Sequence, residues 1–144
     1  MTDTIELSAL LPLPQAIVWT LLTEPKHLQA WFGPYVSLEA RAGGKFREEW
    51  TDDAGRRVVT TGRVEEFFPP ERIAWSWADE GWGATTRVRF ELVGQDDETE
   101  LRLEHSGWSA FPDALGDELK REHEVGWRKH LENLARYAAD FADA

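Results

Sequence analysis

No cysteine occurs in the chain, which excludes disulfides, thiol nucleophiles and cysteine–zinc sites from the outset. That absence suits a reducing compartment, and a cytoplasmic location is the expectation. No run of about 18 apolar residues is present, so no segment is expected to span a bilayer as a helix. Basic residues are few: 16 Lys and Arg stand against 27 Asp and Glu, a formal charge of −11 at pH 7. A chain so charged repels phosphate at long range and offers no basic block, so neither nucleic acid nor an anionic membrane surface is expected as a partner. The opening residues Met1-Thr2-Asp3-Thr4-Ile5-Glu6 are acidic where a secretory leader is basic, so no signal peptide is expected. Repeats, low-complexity stretches and linkers are missing too, and residues 1–144 are read as one domain.

What the chain does have is aromatic mass. Eight tryptophans, seven phenylalanines and two tyrosines stand in 144 residues. Each large ring can bury about 150–250 Å². Most are expected to be core, and several to line a cavity. The backbone pattern begins with Thr4–Leu11, where Ile5, Leu7, Ala9 and Leu11 alternate with Glu6 and Ser8, the period of a strand. Pro12-Leu13-Pro14 ends it and opens a helix to about Leu22. A second short helix is expected over Pro25–Trp31, closed by Gly33-Pro34. Six strands follow by alternation and turn signals: Val36–Arg41, Lys45–Trp50, Arg57–Phe68 with a bend at Gly62, Arg72–Trp77, Thr86–Leu92 and Leu101–His105. The last segment, about Asp113–Phe141, repeats Leu115, Leu119, His123, Trp127, Leu131, Leu134, Ala138 and Phe141 at three- and four-residue steps, a helix with one apolar face. Such a helix, about 1.5 Å per residue, is long enough to cross an antiparallel sheet with strands ~4.8 Å apart. The class is therefore α+β.

In this order the residues resemble a known family. The matching stretches include Ile17-Val18-Trp19, Thr23-Glu24-Pro25, Trp31-Phe32-Gly33-Pro34, Arg41-Ala42-Gly43-Gly44-Lys45-Phe46 and Gly62-Arg63-Val64-Glu65-Glu66. Further on come Pro69-Pro70-Glu71-Arg72-Ile73, Leu103-Glu104-His105-Ser106-Gly107-Trp108 and Gly126-Trp127. Each alone is weak, and their order and spacing are specific. The chain resembles the activator of heat-shock protein 90 ATPase homologues, within the START-like (SRPBCC) superfamily. The resemblance implies a helix-grip fold: a curved seven-stranded antiparallel sheet wrapped around a long C-terminal helix, with two short helices after the first strand and a cavity between sheet and helix. It also implies a small hydrophobic ligand, with a chaperone contact, a homodimer or a polyketide cyclase-type activity as alternatives. The extra amino-terminal domain of full-length co-chaperones has no counterpart in these residues, so ATPase stimulation is not the leading expectation.

The wall candidates for an aromatic or polycyclic ligand are Trp31, Phe46, Trp50, Trp75 and Trp77, then Val88, Phe90, Leu103, Trp108 and Trp127. Three polar side chains would orient the ligand: Glu48, His105 and His123. His105 alternates in phase with Leu101 and Leu103; it is read as a ligand-facing imidazole or base, or as a core histidine bonded to backbone. Glu48 shares a face with Phe46 and Trp50; an inward carboxylate there would have a raised pKa, and an outward one would be ordinary. Trp82, between two glycines, is a candidate lid or interface anchor. Glu66 is read as a structural partner of Arg72 or Arg63. No metal is expected: His123-Glu124 begins like a zinc motif but residue 127 is Trp, and the Asp52-Asp53 and Asp96-Asp97-Glu98 runs read as solvated turns. No nucleophile elbow, phosphate loop or dinucleotide fingerprint occurs, so no cofactor and no readable catalytic set are expected, and a non-enzymatic role is preferred.

Overall fold

Thr4–Leu11 forms β1, and its partner lies almost a hundred residues downstream: Ile5 pairs with His105 and Leu11 with Thr99. The computed structural model describes residues 3–144. Pro14 caps α1 (Gln15–Thr23), and Pro25 opens α2 (Pro25–Trp31), where a missing N–H costs nothing. Then follow β2 (Val36–Leu38), β3 (Lys45–Thr51), β4 (Arg57–Phe68), β5 (Arg72–Asp79), β6 (Thr86–Gln95) and β7 (Glu98–Ser106). A single 3-10 turn at Trp108–Ala110 leads into α3 (Asp113–Ala142). The strands form one antiparallel sheet in the order β1-β7-β6-β5-β4-β3-β2, so the sequence-predicted helix-grip architecture is the observed one.

The element boundaries differ from expectation where side chains intervene. β2 stops at Leu38 rather than Arg41, because Glu39 closes the turn instead: its carboxylate accepts the Lys45 N–H at 2.8 Å and its carbonyl accepts the Arg41 N–H at 2.9 Å. β6 and β7 run longer than expected, since Asp96 adopts φ 58° and turns the chain in two residues between Gln95 and Glu98. The bend predicted at Gly62 is a close approach: a side chain there would overlap the Ser76 carbonyl. A bulge between Val64 and Glu66 adds curvature next to it.

The concave face carries the core. Ile5, Val88, Phe90, Leu101 and Leu103 of the sheet are buried, as are Trp127, Leu131, Leu134 and Ala138 of α3. Leu115 and Phe141, expected on the buried stripe of α3, are instead 44% and 39% exposed. The thirty-residue helix spans ~45 Å, and its last turns reach α2, where the Phe141 ring lies 5.7 Å from that of His27. The convex face is a charge ladder in which Glu66 meets Arg72, Arg87 and Arg89 at 3.2–3.5 Å. Among the described residues no helix is long and apolar enough to cross a membrane.

Candidate functional site

Between the sheet and the middle of α3 the aromatic side chains meet one another. Trp77 of β5 has its ring 5.4 Å from Phe46, 5.3 Å from Trp127 and 5.4 Å from His105. Trp75 stacks on Phe46 at 5.0 Å, and Phe90 lies 5.8 Å from Trp127. The buried N–H groups of Trp75 and Trp77 have no hydrogen-bond partner among the described residues.

His105 sits at the centre with both nitrogens spent. The Trp127 indole N–H donates to its Nδ1 at 2.9 Å. The Thr86 hydroxyl uses its own proton on the Trp77 carbonyl, at 2.8 Å, so Nε2–H of His105 is the donor in the 2.7 Å contact with Thr86. These roles fix a neutral imidazole, and burial pushes its pKa well below the usual histidine range. His123 of α3 donates Nδ1–H to the Leu119 carbonyl at 2.8 Å, which leaves Nε2 with its lone pair. Its ring packs on Trp108 at 4.8 Å and on Trp82 at 5.4 Å.

One row of the inner face is polar. Glu48 of β3 pairs with Thr60 of β4, and Thr60 pairs with Asp79 of β5. The Trp50 indole donates to the Thr60 hydroxyl at 3.0 Å, and that hydroxyl donates to Asp79 at 2.5 Å. Burial raises the Asp79 pKa, and the Thr60 hydroxyl and His123 draw it partly back. Burial lowers that of His123 in turn. Glu48 is 6% exposed and takes no hydrogen bond from any described residue. Burial first, and then the Asp79 carboxylate, push its pKa up to about 7. Its Oε2 lies against Gly33, where a side chain would overlap it.

The cavity expected between sheet and helix is occupied by the ring cluster, and a hollow of about 280 Å³ opens instead beyond the strands, at the mouth of the grip. Gly81, Trp82, Gly83 and Ala84 of the β5–β6 loop form one wall, and Ala110, Phe111 and Pro112 another. Leu115 and Leu119 of α3 complete it. Trp82 stands between the hollow and His123, with its ring also 5.1 Å from Phe111.

The pattern of the family described as activator of Hsp90 ATPase homolog 1-like protein matches residues 12–139. The chain belongs to that family. A search of the curated proteins finds no significant match. Among solved structures, DynU16, a protein of the dynemicin biosynthetic locus, is 25% identical with a TM-score of 0.77; the match covers 95% of this chain and 47% of that one, so this chain spans about half of it. CalU16 from Micromonospora echinospora is 25% identical with a TM-score of 0.74, covering 94% of this chain and 75% of that one. CV1439 from Chromobacterium violaceum is 26% identical with a TM-score of 0.75, covering 94% and 97%.

In this Hsp90-activator-like domain the sequence candidates fall into three groups. Phe46, Trp75, Trp77, Phe90, His105, Trp108, His123 and Trp127 come together as the ring cluster. Trp31, Val88 and Leu103 are buried core, with the Trp31 N–H donating to the Leu21 carbonyl at 2.9 Å. Trp50 lies at the rim, 36% exposed, and Glu48 lies inside. The hollow itself is walled by residues outside that set, of which Trp82 alone had been singled out, by its flanking glycines. Asp79, Thr60 and Gly33 were also missed. Asp79 does continue the Trp75-Trp77 alternation, which was the available signal. Among the described residues no group of three or more His, Asp or Glu could hold a metal ion.

Proposed function

We propose that this family member binds a small apolar molecule, aromatic or polycyclic, at the mouth of the helix grip. The observation that carries the reading is the apolar hollow of about 280 Å³ against Trp82, Phe111, Leu115 and Leu119. An engineered apolar cavity of about 150 Å³ already accepts benzene, so a fused-ring guest is of suitable size. Behind Trp82, the ring cluster extends the same apolar surface inward. A guest burying ~300 Å² gains about 7 kcal/mol gross, and association takes several kcal/mol back. Affinity no better than micromolar is expected from apolar contact alone. The likeness to DynU16, a protein of a biosynthetic locus, supports a small-molecule role. The cyclase-type alternative would need His105 as a base, and neither of its nitrogens has a lone pair to spare.

The test is tryptophan emission titrated with naphthalene, anthracene and steroid probes, with Leu115→Trp as the blocking variant. Saturable quenching that the variant weakens about tenfold is expected, since Leu115 is at the hollow and too exposed to matter for folding. No response to any probe, together with stimulation of the chaperone's ATPase by the pure protein, would replace this reading with the docking alternative.

A further inference from the structure

We propose that the ligand of this grip carries a basic nitrogen, and that its cationic end is received between the carboxyl groups of Glu48 and Asp79; this rests on reading the grip as a ligand site. The first observation is a contrast between the two faces of the sheet. Outward carboxylates are paired: Glu49 with Arg47 and Arg57, Glu91 and Glu100 with Arg102. Glu48 and Asp79 face inward on one row, and no Lys or Arg ion pair reaches either among the described residues. A buried carboxylate without a counter-charge is costly, and half-buried Asp79 stands beside it; Glu48 answers that cost with a raised pKa, and a cation from outside the chain would relieve it.

The second observation is that Glu48 is nine-tenths buried, takes no hydrogen bond from any described residue and has its Oε2 against Gly33. The row also adjoins the loop that walls the hollow. Asp79 is the last residue of β5, and its carbonyl accepts the N–H of Trp82, a wall residue. His123, whose Nδ1 is held by the Leu119 carbonyl of another wall residue, faces Asp79 from α3, with Glu122 the further charge beside it.

Third, the surroundings suit an organic cation. No third acidic or histidine ligand joins the row to make a metal site among the described residues. Trp50 and Trp77 stand on the same strands as the two carboxyls, and ring faces attract an ammonium group. The unpartnered N–H of Trp77, two residues before Asp79 on the same face, would take an acceptor atom on the ligand. The net charge of −11 adds a long-range attraction for cations.

The experiment compares 2-naphthylmethylamine with 2-naphthylmethanol, a matched pair differing in charge, titrated into the full chain by calorimetry at about pH 8. The amine is expected to bind about tenfold tighter or better, the worth of one hydrogen bond to a charged group. Glu48→Gln and Asp79→Asn should each bring the amine-to-alcohol ratio towards unity, and Glu91→Gln on the outer face should leave it unchanged. The ratio should also collapse at about pH 5, where Glu48 is protonated. Equal affinities in the native chain, or a preference that survives Glu48→Gln with Asp79→Asn, would overturn the cation site while leaving an apolar ligand site standing. Failure of both compounds to bind would overturn the ligand-site reading and this inference with it.

Discussion

Gly33 and Glu48 are far apart in sequence and act as one unit. Gly33 has no positive φ, and the Glu48 carboxylate occupies the space a methyl group there would take. Gly33→Ala pushes only on the mobile end of the Glu48 side chain, so it is expected to cost about 1 kcal/mol or less, at the bottom of the overpacking range. In a Glu48→Ala background the same change should be neutral or stabilising by about 0.4–1 kcal/mol, since alanine restricts the unfolded chain. Urea denaturation of the four proteins measures this coupling, and an equal cost in both backgrounds would refute the contact. His105 presents the opposite case, a buried polar group with every valence used. His105→Phe would leave the Trp127 N–H unpaired and remove the bond to the Thr86 hydroxyl. Each orphaned group costs about 1–3 kcal/mol. A loss in denaturation free energy below about 1 kcal/mol would mean that these bonds do not hold the ring in place.

Among the elements, α3 is deeply packed from Trp127 to Ala138 and has an open edge near its start. Trp127, Leu131, Leu134 and Ala138 repeat at steps of four, three and four and are buried, whereas Leu115 borders the hollow. Leu134→Ala should lower stability by about 2–5 kcal/mol. Leu115→Ala should stay within about 0.5 kcal/mol in the same assay while enlarging the hollow. Equal costs at both positions would show that the two are equally packed. The same contrast marks what periodicity can reveal. It identified the helix, its apolar face and the alternating strands, because those follow from side-chain geometry within one element. It also placed Glu48 in phase with Phe46. It could not place Thr60 and Asp79 beside Glu48, because that row depends on the register of two hairpins and on a bulge between Val64 and Glu66. The hollow was hidden for a related reason: its walls come from a loop, a 3-10 turn and the first turns of a helix, which no single alternation brings together.

For the whole molecule, these buried groups make stability a balance of opposing titrations. His130, stacked on Phe32 at 4.3 Å, has its pKa pushed down to about 4 by burial, so the unfolded chain binds a proton that the folded chain refuses as pH falls below the ordinary histidine range. His105 and His123 act in the same direction, and all three favour the fold at higher pH. Glu48 acts the other way. Its folded pKa of about 7 lies above the ordinary 4.5, so between those values the folded chain holds the extra proton. Its contribution is therefore neutral below about 4.5, becomes increasingly unfavourable as pH rises through the window, and levels off above about 7. The full difference corresponds to about 3 kcal/mol at 1.36 kcal/mol per unit. Glu48→Gln keeps the shape and removes the charge. It should match the native chain in urea stability near pH 4 and exceed it by up to about 3 kcal/mol near pH 8, with the gap opening across the window set by the two pKa values. A gap that is constant with pH would mean that Glu48 is not held as a buried, unpaired acid. A gap that narrows at pH 8 when 2-naphthylmethylamine is added to both proteins would tie that unpaired acid to the cation it is proposed to receive, since only the native site gains from binding it.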